Sequence, residues 1–149
     1  MRAVVQRVAR ARVTVGAEEV FRMGEGLLAL VGVARADTPA SAGELARRIL
    51  HLRIFADAQQ RMNRSLLETG GTLAVVSQFT LFGDTRQGRR PSFGDAMPAE
   101  QAAPLIEAVA EAARALGAAV VCGRFGASMD IELVNAGPVT LLLDTDRQL

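Results

Sequence analysis

The stretch Gly70-Gly71-Thr72-Leu73-Ala74-Val75-Val76-Ser77-Gln78-Phe79-Thr80-Leu81 decides how the rest of the chain is interpreted. A Gly-Gly turn precedes a run of four apolar residues, which is short enough for a buried strand and too short for a helix. From Ser77 onward the pattern alternates, so a continuing strand would place Gln78 and Thr80 on one face and Ser77, Phe79 and Leu81 on the other. The pattern therefore predicts a strand with polar groups at its end, either as a site or where the strand leaves the core for solvent.

Length and composition limit the classes of protein that this chain can represent. Because it has 149 residues, half of them hydrophobic, we expect one domain, residues 1–149, with its own core. The net charge of +1 argues against a general basic surface for nucleic acid. All 17 basic residues are Arg, which excludes a Schiff-base lysine and a Walker-type phosphate loop. The single Cys122 and single His51 exclude a disulfide framework and a Cys/His zinc site within one chain, and we expect no cofactor.

Nothing in the sequence predicts a membrane segment. Residues 1–15 are rich in Arg and free of acids, as in a transit peptide, but their valines recur as in strands. The longest apolar run, residues 26–34, is far shorter than the roughly 20 residues that span a bilayer. We therefore expect a cytoplasmic location.

The apolar periodicity predicts an α+β fold in which two main helices cover a largely antiparallel sheet or an open barrel. The first helix should begin at Asp37-Thr38-Pro39 and end near His51, and the second should cover residues 99–116. Residues 82–98 lack periodicity, and long irregular loops are usually functional or disordered. Besides the central strand, strands are predicted at residues 2–8, 12–15, 18–22, 27–33, 119–122, 130–135 and 139–144, with extended pieces at 53–55 and 65–67 and a loop at 57–64.

A second stretch, Asn135-Ala136-Gly137-Pro138-Val139-Thr140, lies near the C-terminus. Together with residues 77–81 it closely resembles the two signature motifs of the D-aminoacyl-tRNA deacylases. The likeness runs nearly end to end and includes Val5-Gln6-Arg7-Val8 and Gly88-Arg89-Arg90-Pro91-Ser92-Phe93. The resemblance implies an editing hydrolase that removes D-amino acids from the 3′ end of tRNA.

The sequence offers no conventional nucleophile with its base. His51 is the only imidazole and is placed at a helix end, where a structural role is expected, and Cys122 fits a small core residue. Thr80 and Ser77 carry hydroxyls without a nearby base. Because an aminoacyl ester is already activated, positioning and backbone donors to the oxyanion can suffice, at about 3 kcal/mol for each donor. The resemblance implies that the positions of Gln78 and Phe79 hold the substrate carbonyl, that the ribose 2′-hydroxyl assists the attack, and that Thr80 is a candidate nucleophile.

By the same resemblance, Gly137-Pro138 is the element that rejects L-amino acids. The resemblance implies a cis bond that projects into the active site of a second subunit, hence a homodimer with composite sites. It also implies that Arg7 braces this motif and that Met129 lines the pocket for the terminal adenosine. A hairpin turn, a surface Arg and a core Met are the structural alternatives for these residues.

Arg86, Arg89 and Arg90 lie in the irregular loop and could bind tRNA phosphates, or they could be solvated loop charges. The chain has 6 Phe and no Trp or Tyr, which argues against extensive stacking on single-stranded RNA and favours a footprint of one terminal nucleotide. Two other functions remain open: a non-catalytic homodimeric nucleic-acid-binding module of the same fold, and a Thr-nucleophile esterase that acts on small esters.

Overall fold

The computed structural model describes residues 1–149 and contains eight strands, three helices and a 3₁₀ turn. The strands are β1 (Arg2–Val15), β2 (Glu18–Met23), β3 (Gly26–Gly32), β4 (Phe55–Ala56), β5 (Met62–Arg64), β6 (Thr72–Ser77), β7 (Ala119–Cys122) and β8 (Asp130–Asp144). The helices are α1 (Pro39–Leu50), α2 (Leu66–Thr69) and α3 (Ala99–Ala115), and the 3₁₀ turn is Phe79–Phe82. The predicted α+β fold with two main helices is confirmed.

Strand β1 lies at the centre of the antiparallel part of the main sheet, and all of its neighbours are antiparallel to it. Along one edge it pairs with β8 for nearly its full length. Along the other edge its first half pairs with β3 and its second half with β2. The prediction of separate strands at 2–8 and 12–15 is wrong, because the ladder to β8 continues through Arg10 and Ala11.

The other side of the sheet is parallel. Strand β6 lies between β3 and β7, with Val31 opposite Ser77 and Val75 opposite Cys122. Helix α1 lies in the crossover from β3 to β6, and α3 lies in the crossover from β6 to β7, as parallel neighbours require. The carboxyl ends of all three strands therefore meet at one edge of the sheet.

The two faces of β6 pack into different parts of the core. Leu73 and Val75 face a large apolar cluster that also contains residues from both long helices, such as Ile49 and Val109. Ala74 and Val76 face a smaller cluster formed with β1 and β2. This alternation of two buried faces explains why the apolar run of β6 is continuous.

Residues 65–67 are not the extended piece that the sequence analysis predicts. Ser65 caps the short helix α2: its N–H donates to Glu68 Oε2 at 2.6 Å, and its Oγ accepts from the Glu68 N–H at 3.4 Å. Gly70 ends the helix in the left-handed region, with φ 71°. The Ser-x-x-Glu capping box outweighs the apolar pair between its two ends.

Two other predicted segments differ from the structure. Residues 57–64, predicted as a loop, contain β5, which forms a small hairpin with β4. Residues 130–135 and 139–144 belong to one strand, β8, rather than two. No helix combines the length and apolar character needed to cross a membrane.

Candidate active site

A cavity of about 620 Å³ opens where the three parallel strands end. Its lining is mostly apolar, and much of it comes from α3 and from the segments that directly follow the strands. These segments contribute Val33 and Arg35 after β3, Gln78 and Phe79 after β6, and Phe125 and Met129 after β7. Parallel strands commonly present ligand sites at this edge, so the sheet topology itself places the cavity.

The chain leaves the sheet directly after Ser77. The Gln78 N–H still donates to Val31 O on β3 at 2.7 Å, and the backbone then turns into the 3₁₀ segment, whose first bond joins Leu81 N–H to Gln78 O at 3.3 Å. The strand predicted to continue through Leu81 is therefore wrong, although the polar end of β6 does line the cavity. Because the N–H groups of Phe79 and Thr80 precede that first bond, they have no acceptor within the turn.

Thr80 lies beside the cavity rather than in its wall. Its side chain is exposed, and its Oγ1 accepts a short hydrogen bond from Gln78 Nε2. Neither an imidazole nor a carboxylate hydrogen-bonds to this hydroxyl. The arrangement provides no base that would activate Thr80 as a nucleophile.

Two phenylalanines form an aromatic surface at the cavity. Phe79 is 58% exposed, and its ring meets Phe93 edge-on, with the ring centroids 4.9 Å apart. Both side chains line the cavity. An aromatic pair of this kind, with Phe79 exposed and Phe93 half-buried, offers an apolar surface to a planar group such as a base or an aromatic side chain.

Arg2 holds the far end of the 3₁₀ turn. Its Nη1 donates to Leu81 O at 3.1 Å, and its guanidinium carbon lies 4.6 Å from the centroid of the Phe82 ring. Its Nε lies 3.5 Å from Asp144 Oδ2, a nearly buried carboxylate at the end of β8. Arg2 thereby connects the 3₁₀ turn to β1, on which it lies, and to β8.

Gly137 and Pro138 form a bulge within β8, and the peptide bond between them is cis. The bulge lies between the pairs Val8–Asn135 and Gln6–Thr140, so the strand resumes along β1 after it and the hairpin alternative is wrong. Asn135 closes the bulge: its Oδ1 accepts from the Val139 N–H at 2.8 Å, and its Nδ2 donates to Thr140 Oγ1 at 2.9 Å. Both Gly137 and Pro138 are exposed, and neither lines the cavity of its own chain.

Arg7 lies beneath this bulge. Its Nε donates to Ala136 O at 3.0 Å, and its Nη1 makes a short hydrogen bond to Ile54 O. A Cβ added to Gly137 would lie 2.9 Å from Arg7 Nη2. The guanidinium therefore fixes the main chain that leads into the Gly-Pro pair.

The three loop arginines differ in their partners. Arg86 binds the Asp84 carboxylate through two hydrogen bonds of 2.9 and 2.7 Å, and this pairing lowers the pKa of Asp84 to about 2. Arg89 and Arg90 are exposed and their guanidinium groups have no partner in the chain. None of the three lines the cavity. The loop itself is tied by reciprocal backbone hydrogen bonds of 2.8 Å between Asp84 and Ser92.

The remaining candidates divide into cavity and structural residues. Ser77 and Met129 line the cavity, and the Met129 sulfur would lie 2.9 Å from a Cβ added to Gly123. His51 is exposed, with its Nδ1 2.8 Å from Arg47 O, and burial raises the pKa of the Cys122 thiol. Nowhere in the chain do three His, Cys, Asp or Glu side chains converge in a way that would suit a metal ion.

Sequence reasoning missed three of the residues that line the cavity: Arg35, Phe93 and Phe125. Arg35 is the one charged residue in the cavity wall. Arg35 and Phe125 each follow a strand by only a few residues. The signal that could have found them is the strand–helix–strand order, which predicts parallel pairing and a shared carboxyl edge.

Comparison with known proteins gives consistent matches over nearly the whole chain. Residues 4–144 match the model of a family described as D-Tyr-tRNA(Tyr) deacylase. A protein named D-aminoacyl-tRNA deacylase from Roseiflexus sp. (strain RS-1) is 59% identical over 145 residues, which cover 97% of this chain and 94% of that protein. A protein of the same name from Symbiobacterium thermophilum is 53% identical over 147 residues, covering 99% and 97% of the two chains.

Two solved structures share the fold. One, titled c-Myc DNA Unwinding Element Binding Protein, has a TM-score of 0.91 and 38% identity, and the match covers 97% of this chain and 98% of that one. The other is titled as a structural analysis of a probable eukaryotic D-amino acid tRNA deacylase. It has a TM-score of 0.78 and 19% identity and covers 95% and 97% of the two chains, a likeness of fold alone.

Proposed function

The chain belongs to the D-Tyr-tRNA(Tyr) deacylase family, and from this premise we propose that it hydrolyses the ester bond between a D-amino acid and the 3′ end of tRNA in the cytoplasm. The products are the free amino acid and the free tRNA. The observation that supports this best is the cavity at the end of β6, where a mostly apolar wall lies beside main-chain N–H groups that have no acceptor within their turn.

The chemistry we propose uses the main chain and the substrate. Water attacks the ester carbonyl, and the negative charge that develops on the carbonyl oxygen is stabilised by the N–H groups of Phe79 and Thr80, since the Gln78 N–H is already donated to Val31 O. Each preorganised donor of this kind contributes about 3 kcal/mol in hydrolases. The 2′-hydroxyl of the terminal ribose assists the attack, the ester C–O bond breaks, and the departing ribose oxygen takes up a proton. Thr80 takes no covalent part, because its hydroxyl has no base and lies outside the cavity wall.

Substrate placement in this proposal follows the cavity lining. Gln78 and Phe79 hold the carbonyl side of the ester, Ser77 lies beside them, and Met129 contacts the terminal adenosine. Phe79 and Phe93 supply the aromatic surface against which a planar group packs.

We also propose a homodimer in which each cavity receives Gly137-Pro138 from the other subunit. Three features favour this. The Gly-Pro bulge is exposed and lies outside its own cavity. Strand β8 pairs with β1 alone, so its outer edge is open. The same strand exposes apolar side chains, with Leu142 64% and Val134 37% exposed.

In this dimer, the main chain at Gly137-Pro138 determines which enantiomer of the amino acid fits the site. Pro fixes φ and Gly lets the backbone come close, so a rigid surface can occupy the space that an L side chain needs. Such a wall does not depend on the identity of the side chain. It also leaves glycine unrejected, because glycine has no side chain to collide.

The test is deacylation of matched D-tyrosyl-, L-tyrosyl- and glycyl-tRNA by the purified protein. We expect D-tyrosyl-tRNA to be cleaved, glycyl-tRNA to be cleaved detectably, and L-tyrosyl-tRNA to remain intact. D-Aminoacyl-tRNAs with other side chains serve as a control for side-chain tolerance. Similar rates for L- and D-tyrosyl-tRNA would contradict chiral editing.

The 38% identical structure named as a DNA unwinding element binding protein keeps a nucleic-acid-binding function as a second candidate. Binding of DNA or RNA without release of amino acid from any aminoacyl-tRNA would favour that module over the hydrolase. A trapped acyl group on Thr80 would instead support an esterase with a threonine nucleophile.

A further inference from the structure

Arg35 is the single charged residue in a cavity wall that is otherwise apolar or neutral. It lies three residues after β3, on the same edge of the sheet as Ser77 and Gln78. A lone guanidinium in an apolar wall attracts an anionic group of a ligand that enters the cavity.

The backbone around Arg35 is fixed to the segment that closes the cavity. The Arg35 N–H donates to Asp95 O at 3.1 Å, and the Met97 N–H donates to Val33 O at 2.9 Å. The side chain is fixed at Nε, which donates to Gly94 O at 2.5 Å. This leaves both Nη groups without a hydrogen bond or an ion pair inside the chain.

The neighbouring acids do not neutralise this charge. Asp37 is buried, and its two oxygens accept from the Met1 ammonium and from the Ala34 N–H, each at 2.6 Å. Asp95 gives its backbone carbonyl to Arg35, and its carboxylate is not within ion-pair distance of the guanidinium. Arg86 differs in this respect, because its Nε and Nη2 both donate to the Asp84 carboxylate.

With an uncharged amino acid such as D-tyrosine, the substrate offers only one kind of anion near the ester. The α-amino group of an esterified amino acid is cationic and the ester is neutral, so Arg35 repels the aminoacyl end and attracts a phosphodiester. Resting on the function proposed above, we propose that Arg35 binds the phosphate that joins the terminal adenosine to the preceding nucleotide. This contact orients the 3′ end so that the ester, rather than the nucleotide, reaches Gln78 and Phe79.

The experiment removes the charge of Arg35 and the charge of the phosphate, each alone and both together. The substrates are two D-tyrosyl-RNA minihelices that differ only in the last internucleotide linkage, a phosphodiester or a neutral methylphosphonate. We expect Arg35→Gln to raise KM for the phosphodiester minihelix by about tenfold, as for one charge-assisted contact, with little change in kcat. On the methylphosphonate minihelix, wild type and Arg35→Gln should be equal.

Arg61→Gln is the matched control, since Arg61 is an exposed arginine whose side chain has no partner and which lies outside the cavity. It should behave as wild type on both minihelices. Equal losses for Arg35→Gln on both minihelices, or no loss on either, would overturn the assignment of Arg35. If the wild-type protein cleaves neither minihelix nor full-length D-tyrosyl-tRNA, the proposed function itself fails and this inference fails with it.

Discussion

The two motifs of this chain, Ser77–Leu81 and Asn135–Thr140, both lie where regular strand pairing stops, but they do so in opposite settings. The first follows the end of a central parallel strand, turns over a cavity and leaves N–H groups without an acceptor in the turn. The second bulges from the middle of an edge strand, satisfies its own polar groups through Asn135, and faces outward. The first motif therefore lines a cavity, and the second presents exposed main chain away from any cavity of its own chain.

This difference indicates where substitutions should affect activity most. In the proposed mechanism the turn acts through main-chain N–H groups, so loss of the Thr80 hydroxyl should cost less activity than a displaced main chain. Around the bulge, the position of the main chain itself matters, and a single added methyl group can displace it. The predictions that follow test this contrast.

The largest effect should come from Gly137→Ala. The new Cβ would lie 2.8 Å from Val139 Cγ2 and 2.9 Å from Arg7 Nη2, at φ +133°, a region that L side chains rarely adopt. Because a displacement of about 1 Å can reduce a rate by about 100-fold, we expect D-tyrosyl-tRNA deacylation to fall at least that much in single-turnover assays. Efficient cleavage of L-tyrosyl-tRNA need not appear, since in the proposed dimer a displaced Gly137-Pro138 segment would also disturb the site shared by the two subunits.

Gly43→Ala is the control for this substitution. Gly43 lies in α1, where an added Cβ meets nothing within 4 Å and the backbone is helical. That variant should keep the wild-type rate. Near-normal activity of Gly137→Ala would mean that the bulge does not determine the geometry of the site.

Thr80→Ala should have a smaller effect, slowing deacylation by less than about a hundredfold, below the loss that follows removal of a covalent nucleophile. The reason is that the hydroxyl contacts only the Gln78 amide and has no base. Thr80→Ser separates the alternatives, since a nucleophilic mechanism would retain activity with Ser and lose it with Ala. A fall of Thr80→Ala to the uncatalysed rate, with tRNA binding intact, would restore the nucleophile.

The contrast between the motifs also marks what the sequence could predict. Helix α1 was predictable because Thr38-Pro39 and the apolar spacing after it are local signals. The turn after Ser77 was not, because alternation from Ser77 to Leu81 is also what a strand would show. Gly32 on β3 leaves room for the turn to pack against it, since an added Cβ would lie 3.0 Å from Gln78 O, and this contact is distant in sequence.

Long-range pairing accounts for the other failures. The position of Arg35 in the cavity wall depends on β3 and β6 running parallel and ending at the same edge, and no local pattern carries that information. The outward position of Gly137-Pro138 likewise depends on β1 continuing beneath the bulge. By contrast, the capping box of Ser65 and Glu68 was visible in the sequence, and the strand prediction there overlooked it.

Arg2→Met should lower kcat by about tenfold, which is the size expected from losing one charged hydrogen bond together with a cation–π contact. Arg2 supports the 3₁₀ turn through Leu81 O and the Phe82 ring and lies outside the cavity lining, so KM should change little. Arg2→Lys should recover part of the loss because it keeps the charge.

Arg10→Met is the matched substitution on the same strand, since Arg10 is exposed and its side chain has no partner. The kcat and KM of this variant on D-tyrosyl-tRNA should equal the wild-type values. A rise in KM without a change in kcat for Arg2→Met would show that Arg2 acts on binding rather than on the position of the turn.

The smallest effect should come from replacing Arg89 and Arg90 together with Ala. Both guanidinium groups are exposed and unpaired in the loop that leads to Phe93, and neither lines the cavity that we propose for the ester. Phosphate contacts carry no sequence or chirality information, so binding of D-, L- and glycyl-tRNA should weaken equally, and the slope of log K against log salt should become less steep by about 1.5 for two contacts. The ratio of D to L cleavage should stay at its wild-type value, whereas Gly137→Ala changes the reaction without changing the salt slope.

Replacing Arg10 and Arg61 with Ala removes the same net charge from other surfaces and should leave the slope as it is. If the loop variant also leaves the slope unchanged, Arg89 and Arg90 are solvated loop charges, and the cavity side of the molecule holds tRNA through other groups.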